Sequence, residues 1–299
     1  METIQSDVQS ELKPDLIELN QVGMSDVQIS LDINGLFVPV KLSVFVDLKA
    51  GNRGIHMSRL YEIILKYLNG HSFKDFQWIE LLKRLVDSQK GLSQSAFIEM
   101  DYQLPLKRTS LKSNLQGHRN YSLKSKFLYD QKRIENSAIH QQDFEILYSS
   151  TCPQSTSLAK ELTKNFFAGR PDEDVLQWMQ SDKYFIATPH AQRSRMKISL
   201  QSIANQVLDI EPWINWFEHA LQTPVQTAVK KADEMEFARL NAENPMFCED
   251  ALRIVSRVIA SETPKNKNLI AYKVETSHEE SLHSHNAAGL MKSQNFFHF

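Results

Sequence analysis

VQISLDINGLFVPVKLSVFVDL, residues 27–48, decides how the rest of this chain is read. Val27, Ile29, Leu31 and Ile33 alternate with polar residues, and Leu36, Val38, Val40, Leu42, Val44, Val46 and Leu48 alternate again. Side chains two apart in a strand point to the same face, so each run presents one apolar side. Between them stands Asn34-Gly35, a pair suited to the positive φ angles of a tight turn. The stretch predicts an antiparallel hairpin with one face to bury. Pro39 lacks an N–H, so part of the second strand is expected at an edge or after a loop.

An apolar face needs a cover, and the next segments supply one. In GIHMSRLYEIILKYL (54–68), Leu60, Ile63, Ile64, Tyr67 and Leu68 recur at helical spacing. A second helix is predicted over 74–88 from Phe76, Ile79, Leu82 and Leu85. Alternation then returns at Ala96, Ile98, Met100, Tyr102, Leu104 and Leu106, and at Tyr121, Leu123 and Phe127. The first half therefore reads β-β-α-α-β-β. A looser version follows, with strand signals at Phe144–Tyr148 and at Met196, Ile198 and Leu200. Helix signals come at Trp213, Trp216, Phe217, Ala220 and Leu221 and from Pro245 to Ile259, where proline suits a helix start. A last strand is expected at Ile270, Tyr272 and Val274. The halves share element order without sharing letters. The expected organisation is α+β: a mobile leader over 1–23, one module over 24–142, and a second over 143–299 with an inserted excursion at about 155–187.

Composition restricts the function. A chain of 299 residues, 41% hydrophobic and 23% charged, has the make-up of a globular protein with a sizeable core. Its net charge of −2 gives no global attraction to nucleic acid or to an anionic membrane, so neither is expected as a partner. No apolar run approaches the ~20 residues that span a bilayer. METIQSDVQSELKPD lacks the basic and apolar regions of a secretory signal. Two cysteines, Cys152 and Cys248, make no disulfide framework, and a reducing cytoplasm is the natural location.

Several residues can carry chemistry. Cys152 in SSTCPQS follows a strand, where a Cys-Pro step gives the thiol an extended approach, although a lone cysteine is more often a small apolar residue. Cys248 falls on the apolar stripe of a helix and reads as core. His190 in TPHAQRSR precedes Arg193 and Arg195, which share a face in an extended chain and suit a phosphate anion. An exposed polar strand end explains the same residues equally well. Asp233, Glu234, Glu236, Glu243, Glu249 and Asp250 are mostly solvated helix faces, though one or two can turn inward. In SLHSHN (281–286), His283 and His285 would face the same way in a strand and can converge on one point. Together these form a ligand pool for a transition metal, but a dispersed one, with His190 standing 190 − 152 = 38 positions after Cys152.

GIHMSRL, STCPQS, TPHAQRS, KKADE with NPMFCED, and EESLHSHNAAG occur in an order that resembles the GTP cyclohydrolase IB family, from about residue 25 to 290. The resemblance implies the tunnelling fold, with two modules per chain and a homotetramer whose active sites lie at subunit interfaces. It implies conversion of GTP and water to 7,8-dihydroneopterin triphosphate and formate, opening folate biosynthesis. One divalent metal per site is implied: zinc, manganese or iron(II). On this resemblance Cys152, His190 and Glu234 belong to the metal centre and Glu249 binds the guanine ring. One of His283 and His285 completes the site as ligand or proton carrier, with His283 the ligand candidate and both facing inward. Arg59, Arg193 and Arg195 are the candidates for the triphosphate. Two departures stand out: the excursion at 155–187 leaves the His190 match resting on its AQRS context, and Cys248 fills a position often held by Val. Another purine or pterin enzyme on the same fold, or a metal-binding homologue without catalysis, are the alternatives. A cupin-like HxH barrel is disfavoured by the helix pairs that interrupt the strands.

Overall fold

Asn34 and Gly35 take φ of 55° and 81°, and Ile33 pairs with Leu36 across them. The predicted hairpin is thus β1 (Leu19–Ile33) and β2 (Leu36–Leu48). The computed structural model describes residues 13–132, 138–182 and 185–299. After β2 come α1 (Met57–Tyr67), α2 (Trp78–Ser88), β3 (Ser95–Thr109) and β4 (Gln116–Asp130), which is the β-β-α-α-β-β order read from sequence. The second half runs β5 (Ala138–Thr151), α3 (Pro153–Phe167), α4 (Asp172–Gln180), β6 (Ala191–Ile203), α5 (Ile210–Leu221), α6 (Lys231–Glu243), α7 (Cys248–Glu262), β7 (Leu269–His278) and β8 (Ala287–Lys292). The strands form one antiparallel sheet in sequence order, β1 through β8. The class is α+β, as expected.

The differences from expectation have physical causes. Residues 1–12 of the expected leader lie outside the described residues, and 19–23 are already strand in β1. The boundary expected at 142/143 falls inside β5, because His140, Gln141 and Gln142 are buried polar residues that hide the strand's apolar alternation. The excursion contains α3 and α4, held together by Phe166, Phe167 and Trp178, with Leu158, Leu162, Leu176 and Met179 exposed. The last strand is β8 rather than β7; its Ala-Ala-Gly start carries little strand signal. Pro39 behaves as anticipated: β2 pairs with β3 from Val40 onward, so Pro39 has a strand on one side alone.

One apolar cluster runs through both halves. Leu42, Val44 and Val46 of β2 meet Leu60, Ile64, Trp78 and Leu82, and Ile146, Ile198 and Leu200 meet Trp213, Phe217 and Val255. The halves join where β4 pairs with β5, from Leu123↔Phe144 to Tyr129↔Ala138. At that seam Trp78 stacks on Phe127 at 4.0 Å, and Phe127 stacks on His140 at 4.4 Å. Glu218 of α5 adds a second tie, accepting hydrogen bonds from Arg119 (2.7 Å) and Tyr121 of β4 and pairing with Arg108 of β3 (3.1 Å).

Because the strands alternate direction, their connections collect at two ends. The β2–α1 and α2–β3 connections lie at one end. The ends of β3, β5 and β7, with the starts of β4, β6 and β8, lie at the other. The two ends are roughly 40 Å apart along β5, at ~3.3 Å per residue.

His140 is fully buried, and burial lowers its pKa from 6.5 to about 3. The unfolded chain binds this proton below pH 6.5 and the folded chain does not, so stability falls as the pH drops. Between pH 6.5 and 5 this one group should cost about 2 kcal/mol. Urea unfolding at pH 7 and pH 5 should show that acid loss reduced in His140→Leu; an unchanged difference would refute the assignment.

Candidate active site

Cys152 stands between the last residue of β5 and the first turn of α3. Its N–H donates to the His190 carbonyl (3.1 Å), and the His190 N–H donates to Ser155 Oγ (3.0 Å). Two backbone-anchored bonds thus close the excursion between them and bring the two landmarks together. The Cys152 sulfur accepts from the Ser155 N–H at 3.5 Å, capping α3, and Pro153 occupies the first helical position, where no N–H is missed. His190 is half-buried, with Nδ1 3.1 Å from Gln192 Oε1 and 3.8 Å from Glu280 Oε2.

Behind these groups lies a buried polar cluster that the motifs did not reveal. Gln192 Nε2 donates to Ser150 Oγ (3.0 Å), which meets Ser194 Oγ (2.8 Å) and His278 Nδ1 (3.2 Å). The other His278 nitrogen is 2.9 Å from the Tyr148 hydroxyl, itself 2.9 Å from Thr276 Oγ1. Burial lowers His278 to about 4 against the opposing pull of the Glu249 charge, and burial pushes the Tyr148 phenol up. The alternation signal in β5 and β6 marked the apolar members of this face and passed over its polar ones.

The two acid pairs divide their work alike. Asp233 is fully buried: it accepts from the N–H groups of Lys230 (2.8 Å), Lys112 (2.7 Å) and Ser113 (2.9 Å) and from Ser113 Oγ. Burial alone would raise its carboxyl, but the hydrogen bonds win and hold it far below the usual range. Asp250 likewise accepts from the Phe247 N–H (3.1 Å) at the start of α7. Their neighbours Glu234 and Glu249 are exposed and make no such cap. Glu249 raises the Cys248 thiol after burial has done so first, and Cys248 is buried, as a core residue should be.

His283 and His285 lie in the β7–β8 loop, not in a strand, and both are exposed rather than inward-facing within the chain. Their rings nevertheless stack, 5.0 Å apart and 15° from parallel. Arg193 and Arg195 share the outer face of β6, as expected. Arg195 is already engaged by Glu145 (2.9 Å) and Glu279 (2.5 Å), which offsets its charge toward a phosphate. Arg59 donates to the Ser88 carbonyl (2.8 Å) at the opposite end of the sheet. Within one chain the sheet end thus gathers Cys152, His190, Glu234, Glu249, His283, His285, Arg193 and Arg195, and leaves Arg59 out.

The donor set suits a metal in part. Cys152 offers a thiol beside an imidazole whose Nδ1 is engaged, leaving Nε2 for a ligand bond. Among the described residues of one chain, no three His, Cys, Asp or Glu side chains stand close enough to hold an ion together.

The fold resembles that of a uricase from Bacillus fastidious, with a TM-score of 0.50 at 7% identity over 91% of this chain and 92% of that one. The eight-stranded antiparallel sheet backed by helices is the tunnelling fold. The model of the type I GTP cyclohydrolase FolE2 family matches residues 5–289, and the chain belongs to that family. Similar proteins include GTP cyclohydrolase FolE2 of Pseudoalteromonas atlantica, 35% identical over 91% of this chain and 90% of its own. FolE2 of Hydrogenovibrio crunogenus is 36% identical over 92% and 89%, and that of Pseudomonas putida 35% over 96% and 95%.

The division of the acid pairs is testable by melting the metal-free protein. Asp233→Ala strands three backbone N–H donors and should lower Tm clearly and loosen the β3–β4 turn to protease. Glu234→Ala, an exposed change, should stay within about 0.5 kcal/mol of wild type. Equal shifts would show that the aspartate is not the structural member.

Proposed function

We propose that the chain is a GTP cyclohydrolase of the IB type, converting GTP and water to 7,8-dihydroneopterin triphosphate and formate at the start of tetrahydrofolate biosynthesis. The observation that carries this is the gathering, in a FolE2 family member, of Cys152, His190, Glu234, Glu249, His283 and His285 at one end of the sheet. A carboxylate accepts two hydrogen bonds, and Glu249, left free by its capping neighbour Asp250, is suited to the N1–H and 2-amino group of guanine. That contact orients the purine so that C8 meets the Cys152–His190 pair. The stacked His283 and His285 are placed to move protons as the imidazole ring opens and formate leaves, since imidazole exchanges protons readily near neutral pH. Arg193, with Arg195 where its acid partners release it, supplies cationic charge for the triphosphate.

Cys152 and His190 would hold a divalent metal, with Glu234 and His283 as the proposed further ligands. When bound, zinc, manganese or iron(II) supplies a Lewis acid that makes water nucleophilic near neutral pH. A mixed thiolate, imidazole and carboxylate set accepts each of these ions. A homotetramer with interface sites is part of the same reading. It is supported by Arg59 lying roughly 40 Å from Cys152 in its own chain, where only a neighbouring subunit brings the two together, and by the lack of a complete ligand group among the described residues of one chain. A cytoplasmic location is also proposed: both cysteines are free thiols, and no helix among the described residues is long and apolar enough to cross a membrane.

Metal-free protein supplied with GTP and separately with manganese, zinc or iron(II) should release formate and yield a fluorescent oxidised neopterin. Cys152→Ala should abolish both. Tight metal binding without GTP turnover under any ion would move the reading to a different purine or pterin substrate. The interface is tested by mixing subunits: Arg59→Ala and Cys152→Ala chains, each impaired alone, should regain activity when co-assembled. Failure to regain it would remove Arg59 from the site.

A further inference from the structure

We infer that a one-way chain of buried hydrogen bonds, running from His190 through Gln192, Ser150, His278 and Tyr148 to Thr276, fixes His190 in the tautomer with its proton on Nδ1 and its lone pair on Nε2. The direction follows from the far end. The Arg195 carbonyl is an acceptor alone, so the Thr276 hydroxyl, 3.2 Å away, must donate to it. Thr276 Oγ1 therefore accepts from the Tyr148 hydroxyl at 2.9 Å. With its one proton spent, Tyr148 accepts from His278 Nε2–H, also at 2.9 Å. His278 stays neutral because burial lowers it to about 4, so its Nδ1 is a lone pair and accepts from Ser150 at 3.2 Å. Ser150 has then no proton left for its other neighbours and accepts from Ser194 (2.8 Å) and from Gln192 Nε2 (3.0 Å). That fixes the Gln192 amide, turning Oε1 toward His190 at 3.1 Å, where it accepts the Nδ1 proton.

Every member from Ser150 to Thr276 is buried and Gln192 nearly so, so water offers no alternative partner at any step. The Glu280 carboxylate, 3.8 Å from His190 Nδ1, is also an acceptor and favours a proton on the same nitrogen. The residues behind His190 are positioning residues: they touch no substrate and act by deciding which imidazole nitrogen remains basic. Their value to catalysis rests on the proposed role of His190; the tautomer itself does not.

The test is nitrogen-15 NMR on the full chain, metal-free, above pH 7 and labelled in the histidine rings, with His190 assigned by its loss in His190→Asn. Two-bond couplings report which ring nitrogen carries the proton. Wild-type protein should show His190 protonated on Nδ1. His278, assigned in the same way, should carry its proton on Nε2, and in Tyr148→Phe, where that proton loses its acceptor, the proton should move to Nδ1 and be donated to Ser150. A wild-type His190 protonated on Nε2, or a wild-type His278 protonated on Nδ1, overturns the inference. Should wild type show the Nδ1 proton yet turn over no GTP, the functional proposal fails and the hydrogen-bond chain stands.

Discussion

Everything in this molecule depends on covering one face of a sheet whose strands pair in the order in which they are made. A strand with alternate residues buried cannot stand without a cover, and the helix pairs α1–α2 and α5–α7 supply it for each half. Consecutive antiparallel pairing then sends every connection to one of two ends. The odd-numbered crossings, from β3 to β4, β5 to β6 and β7 to β8 among them, share an end with the first turns of α6 and α7. Sequence positions from 112 to 285 thus meet in one region without any long-range design beyond strand direction.

Much of the architecture was legible because burial imposes a period. The hairpin about Asn34-Gly35, the stripes of α1, α2, α5 and α7, and the strands β3, β4 and β6 each wrote their apolar face into the letters. Where the buried residues are polar, the signal fails. His140, Gln141 and Gln142 fill the start of β5 with side chains that read as exposed but lie inside, bonded to Ser202, Asp143 and Tyr102, with His140 Nε2 left without a hydrogen bond. β8 was silent for another reason: a six-residue edge strand opening on Ala-Ala-Gly has almost no side chain with which to show a pattern.

For the candidate site, the motifs named residues and the fold showed which of them lie at one end of the sheet. Order along the chain singled out Cys152 and His190, yet spacing could not join them; a backbone bond did. The sequence could not say which acid of Asp233-Glu234 or Glu249-Asp250 is free. Helix starts decide it, since the third residue of the first turn faces back toward the cap and is consumed there. Gln192 and His278 left no trace in any periodicity, because a polar residue on a buried face differs from an exposed one only through partners distant in sequence.

The bond between Cys152 N–H and the His190 carbonyl has a further bearing on how such chains can change over generations. The two residues are neighbours in space whatever lies between them, and the helical excursion leaves and returns at that one point. Closing a flexible loop costs only about 0.6 kcal/mol for each doubling of its length. Segments can therefore be gained or lost between these two residues with little thermodynamic penalty, which makes this junction a natural place for lineages to differ in size while the chemistry on either side of it stays fixed.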